Sequence, residues 1–368
     1  MLLIQAERDS LLKPLTTVTG IVERRHTLPI LSNVLIQKHD GQLTFLATDL
    51  EIQITTVYPH SDGGDFNLTV SAKKFQDILR AIPDGANVSL DQDDSRITVK
   101  AGKSRFNLQT LPAQDFPKLS IDTNVRSVVT LSQSKLKNLL SQVQYAMAHQ
   151  DIRYYLNGLF MVAGGEELKL ISTDGHRLAY VATQLDKPVE NTEVILPRKT
   201  VLELYKLLAD IDDDVTIEIA QNQVKFSFGQ IVIHSKVVDG KFPDYNRVVP
   251  IGNEKLVPLD RQQLLSALQR AAILSNEKFR GVRLVLSDGM LKIICNNSEQ
   301  EEAQEELEIA YQGDPLDIGY NINYLLDVLT NLDAETLVFA FGDHATSSTL
   351  VTVPDDANFK YVVMPMRI

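Results

Sequence analysis

One polar turn recurs three times along this chain at almost equal intervals, and this repetition restricts the possible folds more than any other feature. Each copy follows a glycine-containing turn and a short apolar run, and the copies are centred on Asp49, Asp174 and Asn297. Intervals of 125 and 123 residues separate them. A repeat of about 120 residues is much longer than a solenoid unit and has the usual size of a domain. The sequence therefore predicts three similar domains.

A second marker follows each polar turn and supports the same division. Lys73, Lys199 and Asn323 occupy equivalent positions, 126 and 124 residues apart, and leucines then recur with helical spacing. Another helix-period stretch precedes each polar turn, and segments such as Val215–Ile219 alternate as strands do. The pattern predicts an α+β fold with two helices in each repeat.

Polar connectors near Val125 and Asn253 are the expected domain boundaries, so the domains are predicted to span 1–125, 126–253 and 254–368. An apolar content of 44% and a charged content of 23% are ordinary for a soluble globular protein. The single cysteine, Cys295, cannot form an internal disulfide and favours a reducing cytoplasm. The sequence has neither a basic leader nor about 18 consecutive apolar residues, so we expect no signal peptide and no membrane span.

The charges are distributed unequally between the helices and the rest of the chain. The formal net charge is −12, yet five of the six predicted helices are basic, and only the sixth is acidic, through Asp327. Acids collect in loops and in the segment Glu299–Glu308. A shared positive helix face would hold a polyanion by phosphate contacts that carry no sequence information. For any single helix, lysine placed for solubility is the alternative interpretation.

The middle copy of the polar turn has the residue types of a catalytic site. Ser172, Asp174 and His176 could form a hydrolytic triad, although only geometry can establish one. A hydrolase that uses His176 and Asp174 is therefore the alternative function, and the missing GxSxG motif counts against it. A turn in which Asp174 bonds its own backbone explains Asp174 and Gly175. Such a turn does not require His176 or Arg177.

Several longer motifs point to one known family. They are Thr27–Leu31, Leu111–Pro117, Ala148–Gly158, Thr173–Leu178, Val238–Tyr245, Ile273–Arg283 and Tyr361–Ile368. Together they resemble the bacterial DNA polymerase III beta subunits, the sliding clamps, over essentially the whole chain. The resemblance implies the DNA-clamp fold: three repeated domains, each with two helices packed on antiparallel sheets, in a ring-shaped head-to-tail dimer. It also implies a non-catalytic processivity factor without a cofactor or metal, which encircles and slides on double-stranded DNA.

The resemblance further implies a cytoplasmic protein without a membrane association and with many protein partners. These are the DNA polymerase III alpha subunit, other polymerases, the clamp loader, and mismatch-repair and ligase-type proteins. Each is expected to insert a short peptide into a pocket between the second and third domains. The implied pocket residues are Leu156, Thr173, Gly175, His176, Arg177, Leu178, Pro243, Arg247, Val248, Asn321, Tyr324, Ser347, Val363, Met364, Pro365, Met366 and Arg367.

Positions for DNA and dimer contacts follow from the same resemblance. Arg25, Gln150, Tyr154, Tyr155, Arg198 and Lys199 match the family's DNA contacts, and charge and helix position add Lys74 and Arg280. For the dimer, the resemblance matches Phe106 on one side with Ile273 and Leu274 on the other.

Overall fold

A computed structural model describes residues 1–23, 28–60, 63–93 and 95–367 of the protein. The chain forms two compact units: Met1–Leu136 with Leu202–Val237, and Lys137–Val201 with the chain from Val238 onward. The described residues contain six α-helices, two for each repeat, as the periodicity predicts. The helices are α1 (Arg8–Thr19), α2 (Ala72–Ala81), α3 (Gln133–Val143), α4 (Arg198–Leu207), α5 (Arg261–Ala271) and α6 (Ile322–Thr330).

The strands of the described residues all pair in an antiparallel manner. In chain order they are β1 (Leu2–Glu7), β2 (Asn33–His39), β3 (Gln42–Thr48), β4 (Ile52–Pro59), β5 (Phe66–Ser71), β6 (Asn87–Asp93), β7 (Arg96–Ala101), β8 (Ser104–Gln109), β9 (Ser127–Ser132), β10 (Gly158–Thr173), β11 (Arg177–Pro197), β12 (Asp214–Ile219), β13 (Gln223–Phe228), β14 (Ile231–Lys236), β15 (Lys255–Asp260), β16 (Gly281–Ser287), β17 (Met290–Asn296), β18 (Glu302–Glu308), β19 (Leu316–Asn321), β20 (Thr336–Phe341), β21 (Thr349–Val353) and β22 (Asp356–Val363).

Each unit contains one short sheet and one long sheet. The first unit has the orders β1-β6-β7-β8 and β5-β2-β3-β4-β14-β13-β12-β9, and the second has β18-β17-β16-β19 and β10-β11-β22-β21-β20-β15. Each long sheet joins strands from two consecutive repeats. In the first unit Ile54 of β4 lies opposite Ile233 of β14, and in the second Arg177 of β11 lies opposite Val363 of β22. Backbone pairing therefore continues from one repeat into the next.

The three polar turns have the same hydrogen-bond pattern. Asp49, Asp174 and Asn297 each accept two backbone N–H bonds through Oδ1, at 2.8 to 3.1 Å, from residues two to four positions ahead. In the first two copies a residue with positive φ follows, Leu50 at 78° and Gly175 at 89°. Glycine adopts this conformation without the steric cost that leucine has. The prediction that Asp174 bonds its own backbone is confirmed.

The two helices of each repeat are linked by the first residue of the earlier helix. Arg8 donates to the carbonyl of Leu79 near the end of α2 (2.8 Å), and Arg261 donates to that of Leu329 near the end of α6 (3.0 Å). In the middle repeat the side chain of Gln133 accepts a backbone N–H just beyond α4 (3.3 Å). These bonds satisfy backbone groups at or just beyond the helix ends. Two arginines of the basic helices are thus used inside the protein.

Glutamine side chains hold the connector between the first two repeats on the long sheet of the first unit. Gln53 accepts a bond from the backbone N–H of Leu119 (3.0 Å). Gln223 accepts one from the N–H of Asp122 (3.0 Å) and donates to the carbonyl of Ser120 (2.6 Å). The two glutamines therefore bond to both N–H and carbonyl groups of the connector backbone.

Substitution of Gln223 should loosen this connector. Each lost hydrogen bond is worth about 1 kcal/mol, so we expect Gln223→Ala to raise hydrogen exchange at the Asp122 amide by roughly tenfold or more. Mass spectrometry of deuterated peptides measures this rate. Gln230→Ala, a change at an exposed glutamine of a strand-connecting turn, is the matched control. Equal exchange in both variants would contradict the role assigned to Gln223.

Candidate functional site

A cavity of about 200 Å³ opens beside the middle polar turn, within the second unit. The turn between β10 and β11 forms one side, the segment 242–248 forms another, and the end of β22 completes the wall. The lining is mostly apolar, which suits a ligand that buries hydrophobic side chains. The lining residues are Arg153, Tyr155, Leu156, Thr173, Gly175, Arg177, Leu178, Phe242, Pro243, Tyr245, Val248, Val362 and Met364.

Eight of the residues implied as a pocket by the family resemblance meet in this cavity. They are Leu156, Thr173, Gly175, Arg177, Leu178, Pro243, Val248 and Met364. The other nine lie outside its wall: His176, Arg247, Asn321, Tyr324, Ser347, Val363, Pro365, Met366 and Arg367.

Backbone bonds fix the C-terminal segment that borders the cavity. The N–H of Met364 donates to the carbonyl of His176 (2.9 Å), and that of Met366 donates to Gly319 (2.8 Å). Val363 is fully buried in β22, whereas the side chain of Met364 is 39% exposed. Met364 therefore offers an adaptable apolar surface on a fixed backbone.

Five lining residues were not assigned to the pocket by sequence. Tyr155 was expected to contact DNA, and Arg153, Phe242, Tyr245 and Val362 had no assigned role. Phe242 stacks on the Phe160 ring with centroids 4.7 Å apart, which fixes its position in the wall. In the sequence, Phe242 belongs to the aromatic-proline segment from Phe242 to Tyr245. That segment predicts a family motif but does not by itself indicate a cavity wall.

Arg177 lines the cavity, and its guanidinium bonds to groups of the protein itself. Its Nε donates to Asp174 (3.1 Å), Nη1 to Asp327 (2.5 Å) and Nη2 to the carbonyl of Tyr145 (2.7 Å). The guanidinium also lies over the ring of Tyr324, 4.4 Å from its centroid. Only 9% of the side chain is exposed. Arg177 thus joins the polar turn to α6.

Arg153 is the second charged side chain that lines the cavity. It binds both carboxylate oxygens of Asp151 (3.0 and 2.8 Å) and the carbonyl of Asp174 (3.2 Å). These bonds from Arg153 lower the pKa of Asp151 to about 2. The guanidinium packs against Gly175, where a Cβ atom would lie 2.9 Å from Nη1. Gly175 therefore provides both the turn and the space for Arg153.

The triad interpretation of this turn is wrong. Ser172 is fully buried and its hydroxyl donates to the carbonyl of Val143. The Asp174 carboxylate accepts bonds from the backbone of the turn and from Arg177, and His176 is exposed. A triad requires the imidazole to lie between the hydroxyl and the carboxylate. Here the serine and the aspartate serve the fold.

The residues expected to contact DNA differ in exposure. Tyr154 is 58% exposed and meets the Tyr155 ring edge-on at 5.9 Å. Lys74 on α2 and Gln150 are exposed, the latter with a φ of 56°. These side chains are accessible to a large ligand. Arg25 lies outside the described residues.

Three further basic residues expected to contact DNA are partly buried. Arg198 donates to the carbonyl of Met147 (3.0 Å), and burial lowers its pKa. Lys199 is half-buried at the start of α4, and Arg280 donates to the hydroxyl of Ser275 (3.3 Å). Their side chains are more constrained than those of Lys74 and Gln150.

The residues expected at the dimer contact lie beside the edges of two short sheets. Phe106 is half-buried on β8, the last strand of its sheet. Ile273 is 78% exposed in the 3₁₀ turn that follows α5, and Leu274 beside it is half-buried. These three residues stay the predicted dimer contact.

Other ligand chemistry is limited in the described part of the chain. His39, Asp40 and Asp65 bring potential metal ligands within 4.8 Å of one another, but all three are exposed. The two imidazole nitrogens face the carboxylates of Asp40 (3.3 Å) and Asp65 (2.9 Å). Contacts between the imidazole and the two carboxylates account for this arrangement. The helices within residues 1–23, 28–60, 63–93 and 95–367 are all too short or too polar to cross a membrane.

Comparison with known proteins identifies the family. Models of the DNA polymerase III beta subunit match the chain as an N-terminal domain at residues 2–120, a central domain at 130–244 and a C-terminal domain at 246–367. The beta sliding clamp of Pseudomonas aeruginosa is 46% identical over 98% of this chain and 99% of its own, and that of Escherichia coli is 45% identical over the same shares. The chain belongs to the family of DNA polymerase III beta subunits.

Solved structures agree with this assignment. The Pseudomonas aeruginosa sliding clamp bound to griselimycin has a TM-score of 0.94 at 45% identity, and each chain is covered completely. The Caulobacter crescentus polymerase III beta structure has a TM-score of 0.92 at 40% identity, again over both whole chains. The DNA-clamp fold and the function expected from the resemblance are confirmed: the chain is a non-catalytic processivity clamp of DNA replication, with DNA, polymerase and a second copy of itself as partners.

Gly175→Ala should strain the cavity wall. The positive φ costs an alanine about 1 kcal/mol, and the new Cβ would also displace a guanidinium that three hydrogen bonds hold in place. We expect a loss of stability of about 2–3 kcal/mol, measured by calorimetric unfolding. Gly165→Ala is the matched control, because Gly165 has a φ of 58° with no atom within 4 Å of its Cβ position. Equal losses of stability in the two variants would show that the Arg153 side chain moves away from the new Cβ atom at no cost.

Proposed function

We propose that two copies of this chain close head to tail into a ring around double-stranded DNA, and that other proteins dock through the cavity beside Arg177. The observation that carries the docking site is the meeting of eight family-implied residues in one apolar cavity. Domain boundaries near Val125 and Asn253 divide the chain into the three domains 1–125, 126–253 and 254–368. The protein acts in the cytoplasm.

Two unlike sheet edges support the head-to-tail arrangement. β8 ends one short sheet and carries Arg105 beside Phe106, whereas β18 ends the other and carries four glutamates. An edge strand has backbone groups that can pair with another chain. Opposite charge favours β8 of one copy next to β18 of the other. Ile273 and Leu274 supply the apolar contact for Phe106.

DNA contacts in such a ring need only moderate strength. Lys13, Lys73, Lys74, Lys135 and Lys206 are exposed on four of the helices. Phosphate contacts from lysine are independent of sequence and allow movement along the duplex. We assign the DNA contact to these lysines together with Arg25, Gln150, Tyr154, Tyr155, Arg198, Lys199 and Arg280. Retention then depends on closure of the ring, and the negative net charge is no obstacle.

The docking cavity is assigned to short peptide segments of several partners. The site is assigned to the seventeen residues implied by the family resemblance, of which eight line the cavity, together with the other lining residues Arg153, Tyr155, Phe242, Tyr245 and Val362. Partners of this type are the polymerase III alpha subunit, other polymerases, the clamp loader, and repair and ligase proteins. The Pseudomonas aeruginosa clamp binds griselimycin. At 45% identity, we expect griselimycin to bind this chain as well, and we assign it to the cavity beside Arg177.

Encirclement predicts retention that depends on the topology of the DNA. Clamp loaded onto a nicked circle by its loader should stay bound at high salt, whereas binding through phosphates alone weakens steeply with salt. Cutting the circle should release it within the time of a gel-filtration run. A linear DNA whose two ends are blocked by bound streptavidin is the control and should retain the clamp. Unchanged retention on open linear DNA would refute encirclement.

Shortening Met364 should weaken docking without affecting the dimer. Truncation of an anchor residue in a binding site commonly weakens affinity by roughly tenfold. Met364→Ala should therefore raise the Kd for griselimycin by about that factor, as measured by calorimetric titration. Leu256→Ala, at a 59% exposed apolar residue outside the cavity wall, is the control. The mass in solution should stay near twice 41.1 kDa. Loss of both binding and dimer would mean that the C-terminal segment is purely structural.

A further inference from the structure

We propose that Asp327 on α6 is a positioning residue for the docking cavity: it holds the guanidinium of Arg177 and so keeps the cavity wall in its binding shape. This inference rests on the proposed docking function. Asp327 itself does not line the cavity. It would act through Arg177, and its effect would appear in ligand affinity.

The position of Asp327 in the sequence calls for an explanation. It makes α6 the one acidic helix of the six in the described residues. It also lies near the C-terminal end of α6, where the helix dipole disfavours a negative charge. Neither DNA binding nor helix stability favours an acid here. The contact with Arg177 at 2.5 Å provides the reason.

Arg177 depends on this contact because little water reaches it. Its side chain is 9% exposed, while that of Asp327 is 40% exposed. Burial by itself disfavours the cation, yet the pKa of Arg177 is raised, because Tyr361, Asp327 and Asp174 favour the charged form more strongly. Removal of one carboxylate leaves a buried cation with fewer partners, which favours a rearrangement. The exposure of Asp327 reduces the size of this effect.

The backbone of Arg177 transmits any such rearrangement to the cavity. Its neighbours Gly175 and Leu178 both line the wall, and Arg177 itself pairs with Val363 across β11 and β22. The next residue, Met364, is bonded to the carbonyl of His176. A shift of the guanidinium therefore moves both sides of the cavity. A wall already held in the bound shape lowers the cost of binding.

Griselimycin titration of the full-length dimer tests the proposal. We expect Asp327→Asn to raise the Kd roughly tenfold, as is usual for coupled sites, and Asp327→Glu to restore most of the affinity. Asp333→Asn removes an exposed acid just beyond α6 and is the charge-matched control, with unchanged affinity. Wild-type affinity in Asp327→Asn would overturn the proposal. Failure of the wild type to bind griselimycin would instead refute the docking cavity, and the inference with it.

A double-mutant cycle separates positioning from a general structural effect. If Asp327 acts through the guanidinium, Asp327→Asn should have almost no further effect on affinity in an Arg177→Gln background. Additive losses would show that Asp327 acts by another route and would overturn the proposal.

Hydrogen exchange of the wild-type protein tests the same coupling without depending on the folding of a variant. Coupling is reciprocal, so griselimycin should slow hydrogen exchange at the amides of residues 327–331 but not in α2. Unchanged exchange at 327–331 under saturating griselimycin would also overturn the proposal.

Discussion

The bonds between a turn's own side chain and its backbone are the interaction on which each repeat depends. Asp49, Asp174 and Asn297 each satisfy two amides at the end of an apolar strand. These bonds are exposed or partly buried, so their effect is to fix the conformation of the turn. In the middle copy the turn uses Gly175 for its positive φ but does not fix the two residues that follow it. His176 and Arg177 can therefore stand there without loss of the fold.

Arginine and lysine have different tasks on the helices, and this resolves the contrast between an acidic chain and basic helices. Arg8, Arg261 and Arg198 use their planar guanidinium groups to bind backbone carbonyls inside the protein. Arg270 is paired with Glu305, and α5 therefore has little charge left for a ligand. Exposed lysines remain on α1 to α4. Arginine suits fixed multidentate contacts, and lysine suits a mobile contact with phosphate.

Sequence reasoning predicted the repeat, the helices and the polar turns because these depend on local periodicity and on side chains that bond their own backbone. It predicted Thr173, Gly175, Leu178 and Met364 in the cavity only through family motifs. It did not predict the direction of Arg177, since the guanidinium partners Tyr145 and Asp327 are 32 and 150 positions away. No local pattern encodes such contacts. The positions of Phe242 and Val362 in the cavity wall could not be predicted for the same reason, because the sequence around an apolar residue does not indicate which cavity it lines.

In the proposed docking site, the bonds of the Arg177 guanidinium inside the protein would let one cavity serve partners of different sequence. A guanidinium pointing into the cavity would require an acceptor at a fixed place in each ligand, because an unpaired buried cation is costly. With three N–H donors bonded to Asp174, Asp327 and Tyr145, Arg177 makes less of this demand on a ligand. Recognition at the proposed site would then rest on apolar side chains, the adaptable Met364 and the exposed backbone of the ligand. The proposed role of the acid on α6 follows from the same contact, because Asp327 supplies an acceptor that the Arg177 guanidinium would otherwise need from the ligand.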